Sequence, residues 1–583
     1  MSYQENAILQ TFTSKANNSS SFIDHFIVSD NLIDAINDYH TTDDLDNFSD
    51  HLPLHLSLKI TISTHMYQAT EDDRQFISWN TASNSDILRY KNSLDGNLCE
   101  TVPPLQAILC NDYMCTEHSV HLQHYHDKVV NACISASLHM RKKNVPKRPR
   151  SIPGWNEMVK DLHGQALFWH SMWKSIGCPS LGLIADIRRS TRAKYHFSVK
   201  QAKRLQDTTR ANKLAADLMN NNYIDFWKKV RSINREDKKL PSSINDISGE
   251  ENISELFKNK YSELYNSVSY KEQDMLQHLE MLNKNLHQTC VTGNCYSNHT
   301  ININDVKKAI SVLKKGKRDG NCEMSSEHLI FGTNLLLVHI SMLFQGMFNH
   351  GFSPSGFLES VILPIPKNKR KSLSDIKNYR GIALGSMLGK VMDNVIVSLH
   401  KDVLHTSDMQ FGFKPAHSTT QCSFVVDEIV HYYQSRGSNV YLLLLDASQA
   451  FDRVNYVKLF SMLSQRSLCP LALRWLSNLY CNQSVCIKWD NCISSKFNVT
   501  NGVKQGGVLS PILFAMYIDK LLVKLKESGV GCHIGKTFAG AFGYADDIIL
   551  LSPTICSIKL LYSICSEFGC EFDIKFNPVK SQL

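Results

Sequence analysis

Asp546 and Asp547 lie side by side between two short apolar arms, Ala541-Phe542-Gly543-Tyr544 and Ile548-Ile549-Leu550-Leu551. Two apolar arms around a brief polar turn are a β-hairpin pattern. Adjacent carboxylates on such a turn repel each other and resist desolvation, and a bound cation relieves both penalties. A hundred residues upstream, the run Val440-Tyr441-Leu442-Leu443-Leu444-Leu445 has strand length and hands directly to Asp446. An unbroken apolar run implies burial on both faces, and a carboxylate at its C-terminal edge is held by a fixed scaffold. Alone, an Asp after a strand reads more readily as a helix cap. Taken together, Asp446, Asp546 and Asp547 offer the hard oxygen ligands of two Mg²⁺ ions about 3.5–4 Å apart, with Mn²⁺ as the alternative ion, an arrangement suited to in-line phosphoryl transfer. That chemistry requires Asp446 within about 10 Å of the turn, the reach of shared ions.

A core strand and a hairpin carry these groups, and the other elements are read from periodicity along the chain. Asn304 reads as an N-cap, with Val306, Ile310 and Leu313 on one helical face and Gly316 ending the helix. A second helix is expected near Ile253–Tyr265. Residues 61–140 show no nameable chemistry. From Trp155 to about Val230 apolar residues recur at helical spacing among basic ones, which predicts amphipathic helices with Leu205, Leu214, Leu218 and Trp227 facing a core. Nearer the N-terminus, Ser21–Ser29 and Leu52–Leu58 alternate like half-buried strands, and Ser49-Asp50-His51 opens the second.

At 583 residues the chain is long enough for several domains, and 43% hydrophobic with 20% charged residues excludes both disorder and a membrane-protein profile. The N-terminus lacks the basic-then-apolar pattern of a signal peptide, and no apolar stretch has spanning length, so a soluble intracellular protein is expected. Seventeen cysteines occur without a CxxC pair, among them Cys290, Cys295 and Cys469. Reduced thiols filling core gaps are the plain reading, with a zinc site as the sharper one. Charge is uneven. Arg141–Lys239 holds 23 Lys and Arg against 8 Asp and Glu, a net of +15 in a chain of net +8, so the remainder is acidic. Such a block is the footprint of a phosphate-backbone binder, or else a solvated helical face. Its first ten residues, Arg141–Arg150, combine prolines with like charges and read as a linker or an import signal.

Three segments stand in a telling order: Asp446-Ala447-Ser448-Gln449-Ala450-Phe451-Asp452, then Gly502-Val503-Lys504-Gln505-Gly506-Gly507-Val508-Leu509-Ser510-Pro511, then Tyr544-Ala545-Asp546-Asp547. They resemble motifs A, B and C of reverse transcriptases, and their variants are nearest the non-LTR (LINE-type) retrotransposon branch with its jockey and CR1-like elements. Val361–Lys367 and Asn378–Leu384 resemble the two fingers motifs, Gln410–Lys414 the stretch before motif A, and Phe576–Lys580 motif D. Ser21–Ser29 and Ser49-Asp50-His51 are similar to the last strands of an apurinic-type endonuclease.

The resemblance implies an α+β right-hand polymerase with fingers at 301–438 and palm at 439–583. These follow an endonuclease remnant at 1–60, a connector at 61–140, a basic helical region at 141–240 and a linker at 241–300, with no thumb. It implies copying of an RNA template into DNA from a primer 3′-hydroxyl on a DNA target, using deoxynucleoside triphosphates and magnesium, in the nucleus and cytoplasm. Asp446 and Asp546 would be the main metal ligands and Asp547 a supporting acid. Phe451 would be the steric gate against a 2′-hydroxyl, and Gln505 and Gly506 the loop beside template and nucleotide. Lys367 and Arg380 would grip the triphosphate, Lys580 would protonate pyrophosphate, and Asp50 and His51 would act at a scissile phosphate. Two other readings stay open: a non-catalytic nucleic-acid-binding remnant, and an RNA-dependent RNA polymerase, against which Phe451 speaks.

Overall fold

A computed structural model describes residues 11–13, 20–42, 51–59, 76–77, 79, 82–110, 112–113, 115, 117–142, 155–179, 181–233, 241–268, 271–295, 299–320 and 324–583. The chain divides into two compact units, residues 1–75 with 143–239, and residues 76–142 with 240–583. Among the described residues no helix is long and apolar enough to cross a membrane.

In the first unit, strands Ile36–Thr41 and Leu54–Leu58 pair antiparallel with His40 opposite His55. Helices Lys160–Ser175 and Leu183–Arg204 pack together over a small core of Val159, Ala166, Tyr195, Val199 and Ala202. Helices Gln206–Met219 and Tyr223–Ile233 follow, and the first of these buries no residue. The expected core positions are therefore corrected: Leu205, Leu218 and Trp227 are 40%, 44% and 54% exposed, and Leu214 is only half-buried. Helical periodicity marks an apolar stripe, but a stripe is buried only where another element covers it.

In the second unit the centre is the helix Asn334–His350, whose Leu336, Ile340, Leu343, Phe344, Met347 and Phe348 are fully buried. Thr333 caps its start, and Gly351 closes its end in the left-handed conformation that glycine adopts without steric cost. Helices Asn84–Cys99 and Ser119–Ala136, from the stretch without nameable chemistry, pack on it through Tyr90, Leu94, Tyr125 and Val129. The predicted helix near 304 is Ile303–Ser311. Its cap is Asn302 rather than Asn304, because Asn302 and Asp305 satisfy each other's backbone donors in a capping box.

Two sheets position the site. In the first, Tyr379–Leu384 pairs antiparallel with Glu359–Pro366, with Arg380 opposite Ile365, and Ser484–Trp489 runs parallel on the other side. Helix Glu250–Leu264 covers it, laying Phe257 and Tyr261 against Tyr379 and Trp489. In the second, the order is Ala541–Tyr544, Asp547–Ser552, Tyr441–Ser448, Lys575–Phe576, antiparallel throughout. Helices Leu509–Glu527 and Ile555–Glu571 back this sheet. The mixed helix-and-sheet architecture is the expected α+β class; the first sheet joins strands of the expected fingers range to Ser484–Trp489 of the expected palm range, and the second carries the aspartates expected of the palm. One strand end differs from expectation. Tyr441–Ser448 runs past Asp446, and its faces are unequal, with Leu445 2% and Leu444 42% exposed. An apolar run of strand length does not reveal which residues turn inward.

Candidate active site

Asp446 lies within the central palm strand, directly opposite Asp547 on its neighbour. Directly opposed residues of an antiparallel pair are about 4.5–5.5 Å apart at Cα and project from the same face. The shared-ion requirement on Asp446 is thus met. Tyr544 pairs with Asp547, so Ala545 and Asp546 form the two-residue loop and place Asp546 beside the pair. Such a loop needs a positive φ, and Ala545 supplies it at 59° in place of the customary glycine. A non-glycine residue there is strained and persists where its surroundings over-determine it.

Gln410 provides that constraint. Fully buried, its Oε1 accepts from the Ala545 and Gly412 amides at 3.0 and 2.8 Å, while its Nε2 donates to the Ala545 carbonyl at 3.5 Å. The flanking backbone joins in, with the Phe411 amide on the Gly543 carbonyl at 2.8 Å and the Gly543 amide on the Met409 carbonyl at 2.9 Å. A Cβ on Gly412 would sit 2.1 Å from the Ala545 nitrogen, so only glycine fits against the turn. The sequence marked Gln410–Lys414 as a motif without assigning this role.

Charge in the site is concentrated. Burial raises the Asp546 carboxyl above its ordinary range and Asp446 adds to the shift, while Lys580 and Arg380 oppose it. Asp547 is raised by burial, then by Asp546 and Asp446. Mutual repulsion of this kind is what a divalent cation relieves, so the donor set fits such an ion. Lys580 Nζ lies 3.2 and 3.1 Å from the two carboxylate oxygens of Asp446. Phe576, from the same C-terminal segment, pairs with Ala447, and the Asn577 amide donates to the Asp446 carbonyl at 2.8 Å.

Facing cations come from the fingers strands. Lys367 follows the strand Glu359–Pro366, and Arg380 lies on Tyr379–Leu384. Burial lowers Lys367 from its usual range, Arg380 and Lys580 push it further down, and Asp452 opposes them. Among the described residues neither Lys367 nor Arg380 forms a salt bridge, and Lys367 Nζ donates to the Lys377 carbonyl at 3.2 Å. Lys260, from the covering helix, is brought down to about 8 by burial and by Lys367, and it donates to the Ile376 carbonyl at 2.6 Å.

Phe451 is half-buried, stacked on Phe514 at 4.3 Å between centroids and met edge-on by Phe413 at 5.7 Å. Two rings thus fix its orientation. Gln505 accepts from the Ala383 amide through its carbonyl at 2.8 Å, which lays the loop along the fingers strand. Gly506 has φ 118°, and a Cβ there would come within 2.8 Å of the Ala383 carbonyl.

Two further groups emerge only in three dimensions. Asp452, 6% exposed, accepts from Gln505 Nε2 at 2.7 Å, and burial raises its carboxyl to about 6 against the pull of Gln505, Tyr265, Lys367 and Lys260. Its place six residues after Asp446 in the same motif was the available signal. Asp393 accepts from the Val508 amide at 3.3 Å and is drawn down by the Lys504 charge while burial raises it to about 6. This pair holds both ends of the glycine loop.

In the first unit, His51 Nδ1 lies 2.8 Å from an oxygen of Asp24, whose carboxyl that contact, joined by Thr11, holds below its usual range. Asp50 lies outside the described residues, so the acid placed on His51 is Asp24, from the Ser21–Ser29 stretch.

Residues 365–583 match the family model described as "Reverse transcriptase (RNA-dependent DNA polymerase)". The Drosophila melanogaster "Retrovirus-related Pol polyprotein from type-2 retrotransposable element R2DM" is 26% identical over 35% of this chain and 19% of its own length. The "RNA-directed DNA polymerase from mobile element jockey" of Drosophila funebris is 26% identical over 44% of this chain and 28% of its own. The "Probable RNA-directed DNA polymerase from transposon X-element" of Drosophila melanogaster is 29% identical over 42% of this chain and 27% of its own. The chain thus spans less than a third of the length of these curated relatives.

Proposed function

We propose that residues 365–583, which match the reverse transcriptase model and resemble non-LTR retrotransposon polymerases, copy RNA into DNA from a primer 3′-hydroxyl by magnesium-dependent nucleotidyl transfer. The observation that carries the proposal is the pairing of Asp446 with Asp547, with Asp546 on the adjoining loop and the cations Lys580 and Arg380 within electrostatic range of it. Two Mg²⁺ ions held by the three carboxylates would supply the Lewis acidity that activates the hydroxyl and neutralises the triphosphate. The 3′-oxygen forms a bond to the α-phosphorus of a deoxynucleoside triphosphate as the bond to pyrophosphate breaks.

The chain's own residues do the positioning. Lys367 and Arg380 grip the triphosphate, one as a point charge and the other as a planar fork. Phe451, immobilised between Phe514 and Phe413, excludes a 2′-hydroxyl by volume. Gln505, oriented by Asp452, and Gly506 carry the loop beside template and nucleotide. Lys580 gives its proton to departing pyrophosphate, a role suited to an ammonium already on the Asp446 carboxylate. The basic helices of the first unit supply phosphate contacts to nucleic acid. The Asp24–His51 pair, an imidazole oriented by an acid, is read as part of a phosphodiesterase site, and Asp50 is proposed as its neighbour.

Primer extension on a primed RNA template tests the assignment. Asp546→Ala should lower extension by about a thousandfold or more, corresponding to roughly 4 kcal/mol of lost transition-state stabilisation. Unchanged extension would sink it. A wild-type chain that binds the template but never extends would favour the non-catalytic reading, and preference for ribonucleotides the RNA-polymerase reading.

A further inference from the structure

Cys290, Cys295, His299 and Cys469 converge in the second unit, and the polymerase reading uses none of them. Cys469 Sγ lies 3.9 Å from Cys290 Sγ, 3.8 Å from Cys295 Sγ and 3.4 Å from His299 Nε2, and all four ligand atoms fall within 4.8 Å of one another. We propose that these four side chains form a structural Zn²⁺ site of the Cys₃His type.

The geometry is that of a tetrahedron around one ion. Zn–S bonds of about 2.3 Å and Zn–N bonds of about 2.0–2.1 Å give tetrahedral edges of roughly 3.8 Å between sulfurs and roughly 3.6 Å from sulfur to nitrogen. The three measured contacts lie close to those edges. A disulfide would need its sulfurs at about 2.05 Å, little more than half these distances. Cysteines that merely fill core gaps have no cause to gather three sulfurs and an imidazole nitrogen about one point.

Local structure builds the donor set. Helix Glu272–Leu286 passes into a π-helical turn, His287–Val291, that carries Cys290, and such turns gather at functional sites. The Asn294 amide then returns to the Thr289 carbonyl at 2.8 Å, reversing the chain so that Cys295 comes back to Cys290. Gln345, on the central helix, holds the third ligand from both sides. Its Nε2 donates to the His299 carbonyl at 2.9 Å, and its Oε1 accepts from the Ile301 amide at 2.7 Å. Cys469 is the N-cap of the twelve-residue helix Pro470–Cys481, an end whose dipole favours a thiolate. Three thiolates and a neutral imidazole around Zn²⁺ leave one net negative charge, and the half-buried Arg474 lies within electrostatic range of Cys290 to balance it.

Cys290 and Cys469 are 5% and 1% exposed, while Cys295 and His299 are half-buried, so the site is closed below and reachable from one side. Its effect is mechanical. It clips the 272–299 segment onto the helix Pro470–Cys481, closing the loop of chain between them by metal bonds as well as by packing.

The test measures metal, so its outcome is separate from that of the polymerase reading. The full chain, purified under reducing conditions without chelator, should carry one zinc per chain by elemental mass spectrometry. Exchange for Co²⁺ should give visible bands of tetrahedral cobalt together with a thiolate-to-cobalt charge-transfer band. Cys295→Ser and His299→Ala, both at half-buried positions, should keep the far-ultraviolet circular dichroism and weaken zinc by more than the roughly 10–100-fold cost of losing an outer-shell partner. Cys110 and Cys115, which group with His350 as three donors, serve as the control, and C110S/C115S should leave the stoichiometry unchanged. A chain free of zinc, a cobalt spectrum without thiolate charge transfer, zinc retained in both ligand variants, or zinc lost only from C110S/C115S would each overturn the proposal.

Discussion

Two cationic regions differ in how their charges are held. In the fingers, Lys367 and Arg380 stand at and beside strands whose neighbours, Tyr379 at 1% and Ile362 at 1% exposure, are locked in a core. In the helices of the first unit, an apolar cluster of five buried residues supports a longer run of basic side chains, several of them occupied locally, such as Arg189 with Asp186 and Arg188 over the Trp173 ring. The comparison teaches that a count of charges says how much charge a surface carries, while the scaffold decides whether those charges stand at set positions. A fixed pair can distinguish a triphosphate, whereas a charged helix face offers a sequence-independent field.

Beyond the loss expected of Asp546→Ala, the sharpest break in the comparison comes from loosening the rigid side. Gln410→Leu leaves the Ala545 amide unpartnered at a strained turn, and it should cost about 1–3 kcal/mol of stability by urea unfolding. Extension should fall far more than template affinity does. If the two fall together, the clamp is structural only. Phe451→Ala comes next, and should relax discrimination against ribonucleotides by roughly 10–200-fold in competing incorporation, the range a pocket's volume contact provides. Unchanged selectivity would assign Phe451 to the core.

A smaller effect follows from Asp452. Its carboxyl is raised to about 6 by burial, so the folded chain binds this proton more tightly than the unfolded chain does. Its stabilising contribution is therefore complete below the ordinary carboxylate value of about 3.8 and is lost as pH rises through about 6, by at most about 3 kcal/mol. Asp452→Asn should flatten unfolding free energy between about pH 4 and 6, and lower extension because Gln505 loses its charged partner. A difference from wild type that stays constant across that range would contradict the buried-acid assignment. The smallest effect belongs to the field-like side. Replacing the exposed Lys194, Lys200 and Arg204 by Ala should lower the salt slope of nucleic-acid binding by about 0.7–0.9 per lost contact and leave turnover at saturating template unchanged. A changed turnover would make these helices part of the catalytic machinery.

The aspartate cluster was legible in the sequence because its signal is local: carboxylates bounded by apolar strand-forming runs, where desolvation makes an unpaired acid costly. The hairpin and the α+β class were legible on the same basis. What escaped depends on distance along the chain. Gln410 reaches Ala545 across 135 residues, and Asp452 meets Gln505 across 53. The histidine partner Asp24 lies 27 residues before His51. The cysteine cluster has no CxxC because one ligand stands 170 residues from His299. Leu205, Leu218 and Trp227 show the converse error, since an amphipathic period says which residues share a face but not what covers it.

Lys580 resting on Asp446 gives the acidic cluster a tethered counter-ion. On the proposed reading, an entering ion would have to displace this ammonium rather than meet bare carboxylates, so occupancy would become a contest between a mobile guest and a resident on a leash. The displaced side chain would then stand near the phosphate group it is proposed to protonate, which would couple loading of the cleft to departure of the product.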